Sequence, residues 1–90
     1  MVRISFDREK SRANTAKHGV SLELARELDW ESALVWIDDR FAYDEVRLVA
    51  LAPRLNTLYY VAFTEQGNTR RIISLRPATR REVKHYVESF

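Results

Sequence analysis

Two runs rich in aromatic and β-branched residues, Leu58 to Phe63 and Thr69 to Arg76, flank the tripeptide Gln66-Gly67-Asn68. Such runs favour extended chain, and a glycine beside an asparagine suits a tight reversal, so the stretch predicts an antiparallel hairpin. A hairpin alone is marginal in water, so the rest of a 90-residue chain has to supply neighbouring strands and a covering layer. Pro77 cannot donate to a ladder and predicts where pairing ends. Beyond it, Thr79-Arg80-Arg81-Glu82 has capping-box spacing, with the Thr79 hydroxyl accepting from the Glu82 N–H and the Glu82 carboxylate reaching back. Val83, Tyr86, Val87 and Phe90 follow at helical intervals and predict a closing helix with one buried stripe.

Upstream, Ile4-Ser5-Phe6 reads as a short strand. Asp7 can cap a polar helix running to about Lys17, and Gly19 stands where a helix end favours a left-handed residue. Ser21 can cap a second helix, with Leu22, Ala25 and Leu28 on its apolar face. Ala33 to Ile37 reads as a strand halted by Asp38-Asp39-Arg40. Glu45 to Leu51 reads as the next strand, ending at Pro53 within a turn that ends near Asn56. The expected architecture is one α+β domain over residues 1–90: a short N-terminal strand, two helices, a four-strand antiparallel meander and a closing C-terminal helix.

The composition supports a folded chain, with 46% hydrophobic residues, ten aromatics and two glycines. No cysteine is present, so disulfides and thiolate metal sites are excluded. The start, Met1-Val2-Arg3-Ile4-Ser5, resembles no secretory leader, and no apolar run approaches the ~20 residues of a membrane span. A cytoplasmic protein with no membrane contact is expected. Two glycines cannot build a phosphate loop, the two histidines lie far apart, and Asp38-Asp39 reads as a turn. Neither a metal nor a cofactor is therefore expected. Charge is unevenly placed. Residues 1–18 carry five basic and two acidic side chains, residues 19–66 four and nine, and residues 67–90 six and two. Basic ends around an acidic middle suggest a polyanion-facing surface if the ends meet in space, and two separate solvated faces if they do not.

Three stretches together resemble the BrnT family of toxins. These are Lys17-His18-Gly19-Val20-Ser21, Glu45-Val46-Arg47 read as a strand opening, and the run from Arg71 through Ile72, Ile73, Ser74, Leu75 and Arg76 to Glu82. The resemblance extends from about Phe6 to Tyr86. Ala52 departs from it where many relatives have a glycine after the third strand, which touches only the turn geometry. The resemblance implies a RelE-like fold and a ribonuclease that arrests translation as the toxin half of a type II toxin–antitoxin pair. It also implies neutralisation by a BrnA-type antitoxin, in an assembly of two copies of each, with operator DNA contacted only through the antitoxin.

RNA is cleaved without a metal when the 2′-hydroxyl attacks the adjacent phosphate. That step needs a proton acceptor, cations for the charge building on phosphate, and an acid for the departing oxygen. Arginine suits the middle task because its fork bonds two phosphate oxygens and stays charged. Simple alternation along Arg70–Arg76 puts Arg70, Ile72, Ser74 and Arg76 on one face, with Arg71, Ile73 and Leu75 on the core face. Arg47 and Arg76 then become a phosphate clamp if their strands border one groove, although Glu45 and Arg47 read equally as a structural ion pair. His18, beside Lys17, suits proton transfer, or else it bonds the last carbonyls of its helix. The candidate catalytic residues are His18, Glu45, Arg47 and Arg76. The candidate RNA contacts are Lys17, Arg71, Ser74, Arg80, Arg81 and Lys84. Tyr86 reads as core, His85 as solvated, and Trp30 and Trp36 as core or partner anchors. A non-catalytic module that grips nucleic acid or a protein partner is the competing reading.

Overall fold

The computed structural model describes residues 2–40 and 42–90. Strand β1 (Arg3–Ser5) leads into helix α1 (Arg8–His18). Two short 3-10 turns follow, Leu22–Glu27 and Trp30–Ser32. Then come β2 (Leu34–Ile37), β3 (Leu48–Arg54), β4 (Thr57–Gln66), β5 (Thr69–Pro77) and helix α2 (Arg80–Glu88). The strands form one sheet in the order β1-β5-β4-β3-β2. The expected antiparallel meander runs from β2 to β5, and β1 joins β5 in parallel, so the sheet is mixed.

The caps lie where the residue types favoured them. Asp7 accepts from the N–H groups of Glu9 and Lys10, and Gly19 closes α1 at φ 79°. Thr79 and Glu82 make the full capping box of α2. The second helix is corrected to a 3-10 turn, because Leu22, Ala25 and Leu28 recur strictly every third residue. That spacing aligns all three side chains at 3.0 residues per turn, and all three are buried.

One sheet face packs Leu22, Ala25 and Leu28 against Ala50, Ala52, Val61, Phe63, Ile72 and Leu75. Ala52 thus lies in the core of β3 and not in a turn. The opposite face carries Val49, Leu51 and Tyr60, bordered by Trp36, Leu58 and Tyr86 of α2. Trp30 joins the first layer, edge-on to Phe63, and its Nε1–H donates to the Ala25 carbonyl at 2.9 Å. The stripe expected to be buried on α2 is mostly exposed. Only Tyr86 turns inward, donating its hydroxyl to the Ser32 carbonyl at 2.6 Å, while Val83, Val87 and Phe90 are exposed.

Three further expectations need correction. Strand β3 starts at Leu48, so Glu45 and Arg47 precede it, although the Asp38 N–H still reaches the Arg47 carbonyl at 2.8 Å. Pro53 lies inside β3 opposite Leu58; pairing with β2 has already ended at Leu51, so no N–H is required on that side. Most consequentially, β5 carries a bulge. Ala62 pairs with Ser74 and Phe63 with Ile72, leaving Ile73 unopposed. The extra residue resets the alternation, so Ile72 and Leu75 share the core face although they are three apart.

Candidate active site

The bulge decides which arginines meet. Before it, Arg70 falls on the face of Phe63, where it pairs with Glu65 at 2.7 Å and stacks over Trp30 at 4.6 Å. Arg71 opposes Thr64, Ser74 opposes Ala62 and Arg76 opposes Tyr60. Arg71, Ser74 and Arg76 therefore share the second face, which corrects the simple alternation expected from sequence.

On that face a continuous chain of contacts links three arginines. Arg76 lies over the Tyr60 ring with its guanidinium carbon 4.0 Å from the centroid. Its Nη1 and Nη2 donate to the two Glu82 carboxylate oxygens at 2.8 and 2.9 Å. The Tyr60 hydroxyl accepts from Arg40 Nη2 at 3.3 Å. Arg40 also grips Asp38 through Nε and Nη2, at 2.8 and 3.0 Å. The Tyr43 hydroxyl donates to Asp38 at 3.1 Å, and Arg47 stacks on the Tyr43 ring at 4.2 Å. Arg47 precedes Leu48 by one residue and so keeps the strand parity of Val49, on the second face.

The electrostatics follow from these contacts. Hydrogen bonds from the Arg40 side chain, helped by its N–H and the Tyr43 hydroxyl, lower the Asp38 pKa to about 2 against the opposing effect of burial. Arg76 bonding lowers the Glu82 pKa, and Glu82 in turn raises that of Arg76 despite partial burial and the nearby Arg40 charge. Arg76 is thus held by one edge of its fork, and its Nε makes no hydrogen bond among the described residues. The Arg47 Nε is buried with no hydrogen-bond partner there. A buried cationic donor without an acceptor is uncommon, and it leaves Arg47 with unused capacity for an anion.

The other expected residues are scattered around this row. Glu45 is exposed and shares a pocket of about 360 Å³ with Arg71, Thr64 and Ser5. No Glu45–Arg47 ion pair forms among the described residues; Arg47 stacks on Tyr43 instead. His18 is half-buried at the end of α1 and Lys17 is exposed. No contact joins His18 to Arg47 or Arg76 among the described residues. Arg80, Arg81 and Lys84 lie exposed on α2. His85 is exposed but meets Trp36 edge-on at 5.8 Å. Sequence reasoning missed Asp38, Arg40, Tyr43 and Tyr60. Asp38 and Arg40 read only as a strand stop, and nothing in their spacing announces that Arg40 reaches across the sheet to Tyr60.

The row lies on an open sheet face, and a cleft of about 800 Å³ lies elsewhere, between β1, α1 and the first 3-10 turn. The row is still the better candidate site, because it concentrates cations and hydroxyl groups that suit a developing phosphate charge. Known proteins bear on this geometry. A search of curated proteins found no match. The crystal structure of the Brucella abortus ribonuclease toxin BrnT superposes with a TM-score of 0.67 at 27% identity, covering 89% of this chain and all of the other. The family model described as the ribonuclease toxin BrnT of type II toxin–antitoxin systems matches residues 6–82, a span that includes the whole arginine row. With the fold and most of the sequence agreeing, the chain belongs to the BrnT family of ribonuclease toxins.

Proposed function

We propose that this chain is a RelE-like, metal-independent endoribonuclease, a single toxin domain over residues 1–90 that arrests translation in the cytoplasm and is neutralised by a BrnA-type antitoxin. The assembly inferred from the family resemblance has two toxins and two antitoxins, with operator DNA contacted only through the antitoxin. The observation that carries the catalytic reading is the row Arg76–Tyr60–Arg40–Asp38–Tyr43–Arg47, which gathers cations from the β2–β3 connection and from β5 on one sheet face.

In this reading the RNA phosphate lies between Arg76 and Arg47. The free Nε side of Arg76 and the terminal amino groups of the Arg47 guanidinium hold the non-bridging oxygens as charge builds on them. Tyr60 and Glu82 keep the Arg76 plane in place, so little reorganisation is needed when phosphate arrives. Glu45 or His18 moves the proton of the attacking 2′-hydroxyl. Lys17, Arg71, Ser74, Arg80, Arg81 and Lys84 contact the flanking strand.

The test is induced expression of wild type and Arg76→Lys, scored for growth arrest and on an RNA gel. Lysine keeps the charge but loses the planar fork. Cleavage should fall by about 100-fold or more, the scale of losing one oxyanion donor. Circular dichroism and antitoxin co-purification check that the variant is folded. A folded Arg76→Lys protein that cuts and arrests as well as wild type would remove Arg76 from the site. A folded wild type that neither cuts nor arrests would leave a non-catalytic binding module.

A further inference from the structure

The cleft of about 800 Å³ belongs to no part of the arginine row. Arg8 and Arg12, one helical turn apart on α1, line it together with Arg26 of the first 3-10 turn. Ile4 and Phe6 supply apolar lining. Arg26 is partly satisfied, 3.6 Å from Glu23 and 5.1 Å above the Phe6 ring. Arg8 and Arg12 have no ion-pair partner among the described residues, so the cleft carries more positive charge than it neutralises. Ser5, Thr15 and Ser21 also line it, with the Thr15 hydroxyl donating to the Ser11 carbonyl and the Ser21 hydroxyl bonded to that of Ser11.

Two observations point to what fills it. First, Ser5 lines both this cleft and the pocket holding Arg71, and Ser5 pairs in register with Arg71. The cleft therefore meets, around the β1 edge, the sheet face that carries Arg71, Ser74 and Arg76. Second, the pairing of β1 with β5 sets the two basic ends of the chain side by side, whereas the acidic middle forms the two 3-10 turns, β2 to β4 and their connections, and gives the cleft one carboxylate, Glu23, beside Arg26. Cations at helical-turn spacing and a guanidinium plane on which a base can stack are components that grip single-stranded nucleic acid.

We propose that this cleft is a distal subsite for the RNA substrate. A single strand leaves the Arg76 face past Arg71, rounds the β1 edge at Ser5, and lays its phosphates against Arg8 and Arg12. The proposal rests on the ribonuclease reading above and adds where the rest of the substrate lies. An acidic protein segment is the rival occupant. Continuity with the arginine face and the available stacking plane of Arg26 favour RNA.

The test uses the full chain and dye-labelled, uncleavable 2′-O-methyl RNA strands of about 20 and about 4 nucleotides, lengths that bracket a single-strand site. Fluorescence anisotropy is measured over a series of salt concentrations for wild type, R8A/R12A and R8E/R12E. Loss of two phosphate contacts should weaken long-strand binding roughly tenfold and lower the slope of log affinity against log salt by about 1.4. Charge reversal should weaken it further, and short-strand affinity should match wild type. Unchanged long-strand affinity and slope in both folded variants would overturn the subsite, all the more if those variants lose their antitoxin. Equal wild-type affinity for both lengths would overturn it too, leaving the Arg76 site intact. A wild type that binds neither strand would remove the ribonuclease reading and this inference together.

Discussion

Asn14 shows how much one buried side chain settles in this molecule. Strand β1 pairs with β5 only as far as Arg71, which leaves the later edge of β5 without a strand neighbour. Asn14 fills that gap. Its Oδ1 accepts the Leu75 N–H at 3.1 Å, and its Nδ2 donates to the carbonyls of Leu75 and Val20, both at 2.8 Å. It therefore fastens α1 to the strand that bears Arg76. Replacing it leaves buried polar groups unpaired, at about 1–3 kcal/mol for each such group. Asn14→Ala should lower the unfolding free energy by roughly 2–4 kcal/mol in a urea titration. A change below about 0.5 kcal/mol, the level of an ordinary surface substitution, would show that water replaces the amide without penalty.

The joint between β5 and α2 ties the site to the stability of an element. Glu82 caps the first turn of α2 through Thr79 and holds Arg76 at the same time. Its pKa is lowered from an ordinary value near 4.5, so its contribution is fully present above that value and is lost as pH falls through the lower folded value. Asp38 adds a second such contribution, lost as pH falls from about 3.8 through about 2. Melting temperature should accordingly drop steeply below pH 4.5. In Glu82→Gln, which cannot ionise, the neutral-pH value should be lower and the acid drop shallower. Parallel acid curves for the two proteins would detach the Glu82 pair from folding stability. The exposed flank of α2, with Val87 at 64% and Phe90 at 75%, shows that this helix is held by its cap, Tyr86 and the Arg76 pair more than by a buried stripe.

For the whole molecule, the β1–β5 pairing places one segment of net charge +3 beside another of +4. Self-repulsion of this kind is screened within about 10 Å at 0.1 M salt. Raising sodium chloride from low concentration to that level should raise the melting temperature by a few degrees, since 1 kcal/mol is worth about 4–8 °C in a domain of this size. A melting temperature that falls on the same titration would mean that attractive surface pairs outweigh the repulsion between the ends.

Much of the fold was legible because its signals are local. Asp7, Gly19, Thr79 and Glu82 marked helix ends through bonds spanning a few residues, and Gly67-Asn68 marked the hairpin through backbone freedom alone. The family resemblance, too, rested on short motifs readable in order. The identity of the face carrying Arg71 was not legible, because one unopposed residue at Ile73 inverts the period-two pattern and only the partner strand reveals it. The depth of the α2 stripe was not legible either, since helical spacing sets which residues align and not what stands against them. Arg40 and Tyr60, twenty residues apart, meet only because the sheet brings their segments together. The sequence by itself determined most of the elements, the helix caps and the uneven charge. The tertiary structure alone decided which arginines share a face, because register and the β1–β5 pairing depend on contacts between residues far apart in the chain.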